Sequence, residues 1–224
     1  MPTTASFILT GLVAYLIGSI PPGYLYVKWF KKVDVRTVQS GRTGGTNVLR
    51  AAGTTIGILT ALSDVLKGAC AVWVTRALFG AALTPAQAAW ATATAGLAAV
   101  VGHNWSIYIG FGGGAGTTPN VGWASTLWWP IFPINILAGV MLLLLTGMAS
   151  LTSLVIAGVL PLIFAVRFWL GSDPTPAFLI GSCLSALTIM WSLRPNIRRL
   201  LDGTERVVGP RARRLERQRR PSGN

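Results

Sequence analysis

Apolar stretches separated by short polar segments run along most of the chain. They occupy residues 6–27, 55–80, 86–103, 119–129, 131–147, 150–170 and 176–193. About 20 apolar residues in a helix cross a bilayer core roughly 30 Å thick. The pattern therefore predicts an all-α, polytopic membrane helix bundle with about seven transmembrane helices. The short fourth stretch is rich in tryptophan, and we expect Trp123, Trp128 and Trp129 to lie in an interfacial belt.

The first apolar stretch and the basic residues after it set the orientation of this bundle. Residues 18–23 include two glycines and two prolines, so we expect the first helix to break near its end. Lys28, Lys31 and Lys32 follow, and they place that end on the cytoplasmic side because cytoplasmic loops are enriched in basic residues. The N-terminus is then outside and the C-terminus cytoplasmic. The first stretch lacks a basic leader and precedes further spans, so a cleaved signal peptide is not expected.

The composition excludes an ordinary soluble domain. Of the 224 residues, 52% are hydrophobic and only 11% are charged, and the mean hydropathy is +0.57. The net charge is +13, but ten of the 19 basic residues lie between Arg194 and Arg220, without the aromatic residues or motifs of nucleic-acid binding. We predict an integral membrane domain, residues 1–205, and a basic, disordered cytoplasmic tail, residues 206–224. Cys70 and Cys183 lie in apolar stretches, which predicts small core residues rather than a disulfide or metal pair.

A glycine-rich polar loop, Ser40–Arg50, follows the first apolar stretch. Its glycines permit close backbone approach to a ligand, and consecutive backbone N–H groups in such a loop can form an anion-binding nest. Arg42 and Arg50 add planar donors suited to phosphate. The alternative is a flexible connector between helices. The loop lacks the Lys-Ser/Thr ending of a P-loop, so nucleotide binding is not predicted.

A few ionisable residues lie inside or beside the apolar stretches. Asp64 and Lys67 are three residues apart, so they share a helix face and can pair. An ionisable residue costs roughly 2.5–3.5 kcal/mol at the bilayer centre, so the pair is expected to face a protein-lined cavity. It is either a structural ion pair or the wall of a site reached from the cytoplasm. Asp173 is close enough in sequence to pair with Arg167. His103 is the only histidine, and one histidine cannot form a metal cluster, so no metal or other cofactor is predicted.

Two further polar segments complete the pattern. Asn104–Gly122 is a second glycine-rich stretch, with five glycines around Phe111 and Ala115. The stretch Asn196–Glu205 is expected to contain a short amphipathic helix along the cytoplasmic interface. In that helix Ile197, Leu200 and Leu201 would face lipid.

Four segments, in order along the chain, share their residues with a known family of membrane enzymes. They are Gly18-Ser19-Ile20-Pro21 with Gly23-Tyr24; Ser40-Gly41 with Gly44, Thr46-Asn47 and Arg50, followed by Asp64 and Lys67-Gly68; Gly102-His103 with Phe111-x-Gly113-Gly114-x-Gly116; and Asn196-Ile197 with Arg199-Leu200, Gly203 and Glu205. In this order, between spans of the predicted topology, they resemble the bacterial acyl-phosphate:glycerol-3-phosphate acyltransferase family, whose members are seven-span membrane enzymes.

The resemblance implies a multi-pass enzyme of the bacterial inner membrane that acts in phospholipid biosynthesis. In this family a hydroxyl of glycerol 3-phosphate attacks an acyl phosphate, which releases phosphate and forms lysophosphatidic acid. The implied partners are those two substrates and membrane lipid, with no nucleic acid. The residues predicted to be catalytic are Ser40, Asn47 and His103. Those predicted to bind substrate are Arg42, Gly44, Thr46, Arg50, Asp64, Lys67, Gly113, Gly114, Gly116, Asn196 and Glu205.

The chain departs from the family pattern at four positions. The pattern has lysines where this chain has Gly112 and Ala115, asparagine where it has Arg42, and histidine where it has Leu193. Each lost lysine removes charge-assisted hydrogen bonds worth about 1.5–3 kcal/mol. We therefore hypothesise that charge has moved to the facing loop. In this hypothesis the substrate phosphates are held by three cations, Arg42, Arg50 and Lys67. The acceptor is oriented by Ser40 and Asn47, and His103 assists nearby.

Two other functions remain open at this point. The first is a catalytically degenerate or regulatory membrane protein on the same scaffold, which binds lipid or acyl phosphate without turnover. The second is a small transporter or channel, which is disfavoured because the polar residues cluster in predicted cytoplasmic loops rather than at the midplane of several spans.

Overall fold

The protein is an all-helical bundle, as the apolar pattern predicts. The structure is a computed structural model that describes residues 3–173, 175–208 and 211. In that part of the chain it contains ten α-helices: α1 (Thr3–Ser19), α2 (Pro22–Lys31), α3 (Gly45–Ala52), α4 (Thr54–Phe79), α5 (Pro85–Asn104), α6 (Thr117–Ser125), α7 (Ile131–Thr146), α8 (Ala149–Trp169), α9 (Ala177–Ser192) and α10 (Arg194–Leu201).

Several of these helices are long and apolar enough to cross a membrane. Among the described residues, Thr4–Lys31, Thr54–Ala82 and Ala149–Trp169 each meet both requirements. The helices α9 and α10 together form a fourth such segment if they are counted as one span, although the chain bends by 67° between them. The prediction of a membrane helix bundle is confirmed, and three or four of its spans follow from helix length and composition alone.

The predicted break in the first apolar stretch is confirmed. The helix α1 ends at Ser19, and α2 begins at Pro22, where the missing N–H of proline costs nothing. Before the break, α1 lies very close to α5, because Gly18 packs directly on the backbone of Ala99 and a Cβ there would overlap it. The break therefore sits beside the end of α5, where the polar residues of the chain collect.

The prediction that Ser40–Arg50 is wholly a loop was wrong in its second half. From Gly45 to Ala52 the chain forms α3, with Gly44 as the N-cap residue. The residues after Gly45 all tolerate helix, and the buried Val48 packs with Val27 and Val35 in a small separate core. Gly53, at φ +92°, ends the helix.

The predicted fourth span is a short helix whose tryptophan is buried. The helix α6 has nine residues and is about 14 Å long. Trp123 has no exposed surface, stacks on Phe164 at 5.8 Å between ring centroids, and donates its indole N–H to Asn120 Oδ1 at 2.7 Å. Its placement in an interfacial belt was therefore wrong, whereas Trp129 is 75% exposed. The apolar pattern does not separate a residue facing lipid from one facing other helices.

The C-terminal helix forms, with slightly different bounds from those predicted. The helix α10 begins at Arg194, with proline in its first turn, and ends at Leu201. Leu201 is 83% exposed, whereas Ile197 and Leu200 are half-buried against the bundle. Of the predicted tail, the structure describes only residues 206–208 and Arg211, so the predicted disorder falls almost entirely on residues outside the described part.

Three smaller predictions can be compared directly. The pair Arg167–Asp173 is confirmed, with Arg167 Nη2 2.8 Å from Asp173 Oδ1. Cys70 and Cys183 are both free thiols, as predicted. Cys183 is exposed on α9, however, so its assignment to the core was wrong.

Candidate active site

The two glycine-rich segments meet at one end of the bundle. The backbone N–H of Thr43 donates to the Gly113 carbonyl at 3.2 Å, and Arg42 Nη1 donates to the Gly114 carbonyl at 3.0 Å. Arg36 reaches the Ile109 carbonyl at 2.9 Å. We call Ser40–Gly44 the first loop and Gly110–Gly116 the second loop. Segments about 70 residues apart in sequence thus form one polar surface.

Asn47 shapes the first loop from beneath. Its side chain is buried, and Nδ2 donates to the carbonyls of Val35, Val38 and Arg42 at 2.8–3.1 Å. Its Oδ1 accepts the backbone N–H of Ser40 at 3.3 Å. Both polar atoms of Asn47 are therefore occupied by the loop itself. This buried, fully bonded amide supports the loop, and its predicted role in orienting the acceptor stays a prediction.

Arg42 holds three segments together. Its Nη1 donates to the Gly114 carbonyl and to Ser192 Oγ at 2.9 Å, and its Nη2 donates to the Ser192 carbonyl and, at 3.5 Å, to Asn196 Oδ1. Burial lowers the pKa of the Arg42 guanidinium below its usual value, and the nearby positive charge of Arg199 lowers it further. All four terminal N–H groups have partners within the chain. These bonds make Arg42 a structural clamp, and the hypothesis that it also holds a substrate phosphate stays a hypothesis.

Arg50 differs from Arg42 in this respect. Its side chain is half-buried in the last turn of α3, and within the described residues it has no hydrogen-bond partner. Burial lowers the pKa of its guanidinium, and the charge of Arg206 lowers that pKa further, whereas Glu205 raises it. The C-terminal segment that contains Glu205 and Arg206 therefore lies near Arg50. A guanidinium remains charged through such shifts. Arg50 is a cation held at the site with its donors available.

The N-terminus of α3 lies beside the first loop. The N–H groups of Gly45 and Thr46 have no acceptor among the described residues, while those of Asn47 and Val48 bond to the Gly44 carbonyl. Free N–H groups at a helix start carry partial positive charge and bind anions. Together with Arg50 and the half-buried Ser40, whose hydroxyl makes no hydrogen bond within the described chain, they form an anion-accepting surface.

The second loop rests on the end of α5. The N–H of Gly114 donates to the His103 carbonyl at 3.0 Å, and a Cβ on Gly114 would overlap the His103 ring. A Cβ on Gly113 would overlap the carbonyls of His103 and Asn104. Gly116, at φ +85°, turns the chain into α6 against the Asn104 side chain. Only glycine at Gly113 and Gly114 lets the loop lie this close to the helix.

Beneath the second loop, Asp64, Lys67 and His103 form one buried cluster. Lys67 Nζ lies 3.0 Å from Asp64 Oδ1, which confirms the predicted ion pair, and His103 Nδ1 lies 3.4 Å from the same oxygen. Lys67 also donates to the Ile20 carbonyl at 2.7 Å, at the break between α1 and α2. The three residues are 1%, 7% and 4% exposed. These side chains lie beneath the loop and support it. The predicted roles of His103 in catalysis and of Asp64 and Lys67 in substrate binding stay predictions.

The third polar segment, Asn196–Glu205, lies beside the first loop. Glu205 accepts hydrogen bonds from Asn196 Nδ2 and Arg199 Nε, each at 3.0 Å. Asn196 in turn approaches Arg42 at 3.5 Å. Asn196 and Glu205 thus join the other two segments through Arg42, and both side chains bond to protein partners. Their contact with substrate stays a prediction.

No group of three or more His, Cys, Asp or Glu residues that could hold a metal ion is found in the described ranges.

The chain was compared with known proteins. A family model described as glycerol-3-phosphate acyltransferase matches residues 8–203. The chain belongs to the glycerol-3-phosphate acyltransferase family. Two relatives carry that same name. The one from Gloeobacter violaceus is 39% identical over 196 residues, 88% of this chain and 92% of the relative. The one from Thermus thermophilus is 40% identical over 209 residues, 91% and 96% of the two chains.

Solved structures of this family have the same fold. PlsY, an integral membrane glycerol 3-phosphate acyltransferase, in its glycerol 3-phosphate form, is 30% identical with a TM-score of 0.77, and the match covers 96% of this chain and all of PlsY. The lysophosphatidic acid form gives 29% identity and a TM-score of 0.74. The resemblance inferred from the four segments is therefore confirmed, as is the assignment to an integral membrane family.

Sequence reasoning brought together most of the site and missed part of it. The three family motifs converge as predicted, through Arg42. The site also contains residues that carried no sequence signal: Arg36, Ser192 and Asn104. Arg36 donates to a backbone carbonyl, and Ser192 accepts from Arg42 through its hydroxyl and its carbonyl. Asn104 contributes through its contact with Gly116. Spacing along the chain does not reveal such contacts.

A pair of neighbouring glycines provides a test of the second loop. We expect Gly113→Ala to lower acyltransfer at least about 10-fold, because its Cβ would overlap backbone carbonyls that cannot move without shifting α5. Gly112→Ala is the matched control, since its Cβ would have no neighbour nearer than 3.5 Å. The measurement is the initial rate of lysophosphatidate formation by equal amounts of folded protein. Equal loss in both variants would contradict the structural distinction.

Proposed function

We propose that this protein transfers a fatty acyl group from an acyl phosphate to a hydroxyl of glycerol 3-phosphate, producing lysophosphatidic acid and phosphate. The observation that carries the proposal is the convergence of the three family motifs on one surface. That surface holds Arg50, a cation whose donors have no partner within the described part of the chain. Relatives named for this activity and the PlsY structures support it. Both proposed substrates bear phosphate, which such a surface accepts.

The glycerol 3-phosphate headgroup is assigned to the first loop. Arg50 and the N–H groups of Gly45 and Thr46, in the adjoining helix α3, donate hydrogen bonds to its phosphate, and the Ser40 hydroxyl orients the attacking hydroxyl. The second loop offers N–H groups only, since Gly112 and Ala115 replace the lysines of the family pattern. Backbone donors bind phosphate without a net charge. The proposal therefore assigns the acyl phosphate to the second loop, and Arg42 keeps the two loops in register.

The acyl tail is assigned to a groove between α5 and α9. This open cavity has a volume of about 630 Å³ and is lined mainly by apolar residues, among them Leu97, Leu184 and Leu187. It ends at Arg194, which donates to the Trp191 carbonyl at 3.0 Å and lies 4.7 Å from the centroid of that ring. Arg194 is two residues after Ser192, the partner of Arg42. An acyl chain bound in this open groove would thus border on lipid, while the phosphate at its end reaches the loops.

The reaction needs positioning more than strong acid–base catalysis. The acceptor oxygen forms a bond to the acyl carbon, the bond from that carbon to the phosphate oxygen breaks, and the hydroxyl proton leaves with phosphate. Acyl phosphate is already activated, and holding the two reactants in line removes much of the barrier. Backbone N–H groups of the second loop can stabilise the developing oxyanion. His103 contributes by supporting that loop.

We further propose seven crossings of the bacterial inner membrane, with the N-terminus outside and the C-terminus and the site on the cytoplasmic side. The short segment 117–129 counts as a crossing because its two ends lie at opposite ends of the bundle. Gly116 adjoins Asn104 at the site, whereas the Trp128 ring lies 5.6 Å from Arg167 near the far end of α8. A reporter fused after Asn224 is expected to be active only as a cytoplasmic reporter. A periplasmic signal would reverse this orientation.

An assay of purified protein tests the function. The protein in detergent is given acyl phosphate and glycerol 3-phosphate, and lysophosphatidate and phosphate are measured with time. Stoichiometric formation of both products is expected, and absence of turnover by folded protein would contradict the proposal. The alternative of a degenerate member has its own outcome. It predicts binding without turnover in the natural chain and turnover only after Ala115→Lys, which restores a lysine of the family pattern.

A further inference from the structure

The segment after α10 turns back and docks on the turn between α7 and α8. We call residues 203–208 the strap. Gly203 starts it at φ +66°, and the Thr204 N–H donates to the Arg199 carbonyl at 2.8 Å. At its other end the Val208 N–H donates to the Gly147 carbonyl at 2.7 Å. Just beyond it, Arg211 Nη1 donates to the Thr146 carbonyl at 3.0 Å. The strap therefore joins two helices that are distant in sequence.

Gly147 is fitted to this contact in two ways. Its φ of +67° makes the turn between α7 and α8, a conformation that favours glycine. A Cβ at this position would overlap the Val207 side chain and would lie 2.9 Å from the Val208 carbonyl oxygen. A side chain at residue 147 would thus displace the strap from the turn.

Glu205 connects the strap to the active site. Its carboxylate accepts from Asn196 and Arg199, and Asn196 approaches Arg42. Arg42 bonds the Gly114 carbonyl of the second loop. The contacts are therefore continuous from the α7–α8 turn, through the strap and Glu205, to the loop assigned to acyl phosphate.

We propose that the strap is a positioning element for acyl transfer: its docking on Gly147 fixes Glu205, which holds Asn196 and Arg42 in the arrangement that binds substrate. The proposal rests on the proposed function. The family model matches residues 8–203, so the docking end of the strap lies beyond the matched range.

Substitutions at Gly147 test the docking contact, and Gly171 supplies the control. Gly147→Ala and Gly147→Asn both add a Cβ, but asparagine tolerates positive φ better than alanine, so the two separate backbone strain from displacement. Gly171 also has a positive φ, +71°, and a Cβ there would meet no atom within 4 Å. Gly171→Ala and Gly171→Asn thus impose the same strain without displacing a neighbour. A chain ending at Glu205 removes the docking end altogether.

The rate of tryptic cleavage after Arg206 is measured for the full-length proteins, because the chain ending at Glu205 lacks that site. The KM for glycerol 3-phosphate and the Tm in detergent are measured for every protein. For both Gly147 variants we expect faster cleavage and a KM raised roughly 10-fold, the change that about 1.4 kcal/mol produces. Their Tm should match that of the corresponding Gly171 variants, whose cleavage rate and KM stay at natural values. The truncated chain should show the same rise in KM, and adding Gly147→Ala to it should raise KM no further.

Each other outcome contradicts the proposal. Faster cleavage with an unchanged KM would show that the strap docks without affecting the site. An unchanged cleavage rate would show that the strap does not depend on Gly147. Equal rises in KM for the Gly147 and Gly171 variants would assign the effect to backbone strain. Absence of turnover in the natural protein is a different result, because it contradicts the proposed function and leaves the cleavage comparison valid.

Discussion

Arg50→Gln is expected to lower kcat/KM for glycerol 3-phosphate by roughly 150-fold or more, the factor that two charge-assisted hydrogen bonds of about 1.5 kcal/mol each produce. Arg50 is the half-buried cation of the site whose donors have no partner within the described residues. Glutamine keeps much of the length and polarity but removes the charge and the planar fork. Because no bond within the described chain is lost, the Tm in detergent should change little.

Two further variants make this test specific. Arg50→Lys retains the charge without the fork, so an intermediate loss is expected if the guanidinium binds phosphate through two parallel bonds. Arg198→Gln removes an arginine that is exposed on α10, and it should leave kcat/KM unchanged. A natural KM for glycerol 3-phosphate in Arg50→Gln would remove Arg50 from the phosphate site. The first-loop assignment would then need another cation.

The sequence predicted the helices and the meeting of the motifs well, for identifiable reasons. Hydropathy marks the ends of long apolar helices because the flanking polar residues cannot enter the bilayer. The i, i+3 spacing of Asp64 and Lys67 determines that they share a helix face, and the structure confirms the pair. The motif pattern placed both glycine-rich segments and the C-terminal segment at one site, although nothing local to any one of them requires this.

The roles of individual side chains were less predictable. Arg42 and Asn47 are polar residues in a glycine-rich loop, and residue type suggested ligand contact for both. In the structure Asn47 donates only to backbone carbonyls, and Arg42 donates to two backbone carbonyls and to the side chains of Ser192 and Asn196. These contacts are set by how segments meet rather than by spacing. Arg50 has the same chemistry as Arg42 but no such partner among the described residues. The distinction between structural and functional arginines therefore depends on tertiary contacts.

The apolar pattern of the sequence also did not predict which residues are buried inside the bundle. Trp123 and Cys183 both occur in apolar stretches, yet the first is fully buried and the second is exposed. In a membrane protein the surface that faces lipid is as apolar as the core. In soluble proteins hydrophobic periodicity separates core residues from surface residues. Here it does not predict which apolar residues face other helices and which face lipid.

The buried cluster leads to the second large expected effect, the exchange of Asp64 and Lys67. The pair alone would survive an exchange, because both charges remain three residues apart on one helix face. The contacts outside the pair would not. A lysine at position 64 would bring its ammonium beside His103, and an aspartate at position 67 would bring its carboxylate toward the Ile20 carbonyl, which Lys67 Nζ now bonds at 2.7 Å. Both new contacts are unfavourable because the cluster is buried.

We therefore expect the doubly exchanged protein, Asp64→Lys with Lys67→Asp, to lose acyl transfer and about 3–5 kcal/mol of stability, the cost typical of an uncompensated buried charge. Thermal unfolding in detergent and the rate of lysophosphatidate formation measure the two effects. Exchange of Arg167 and Asp173 is the control, since that pair lies away from the loops and Arg167 is partly exposed, so acyl transfer should persist. Full activity after the first exchange would show that the ion pair matters only as a pair. Loss of activity after the Asp64–Lys67 exchange but not after the Arg167–Asp173 exchange is the expected result. It would show that the cluster acts through its contacts with His103 and with the Ile20 carbonyl at the α1–α2 break.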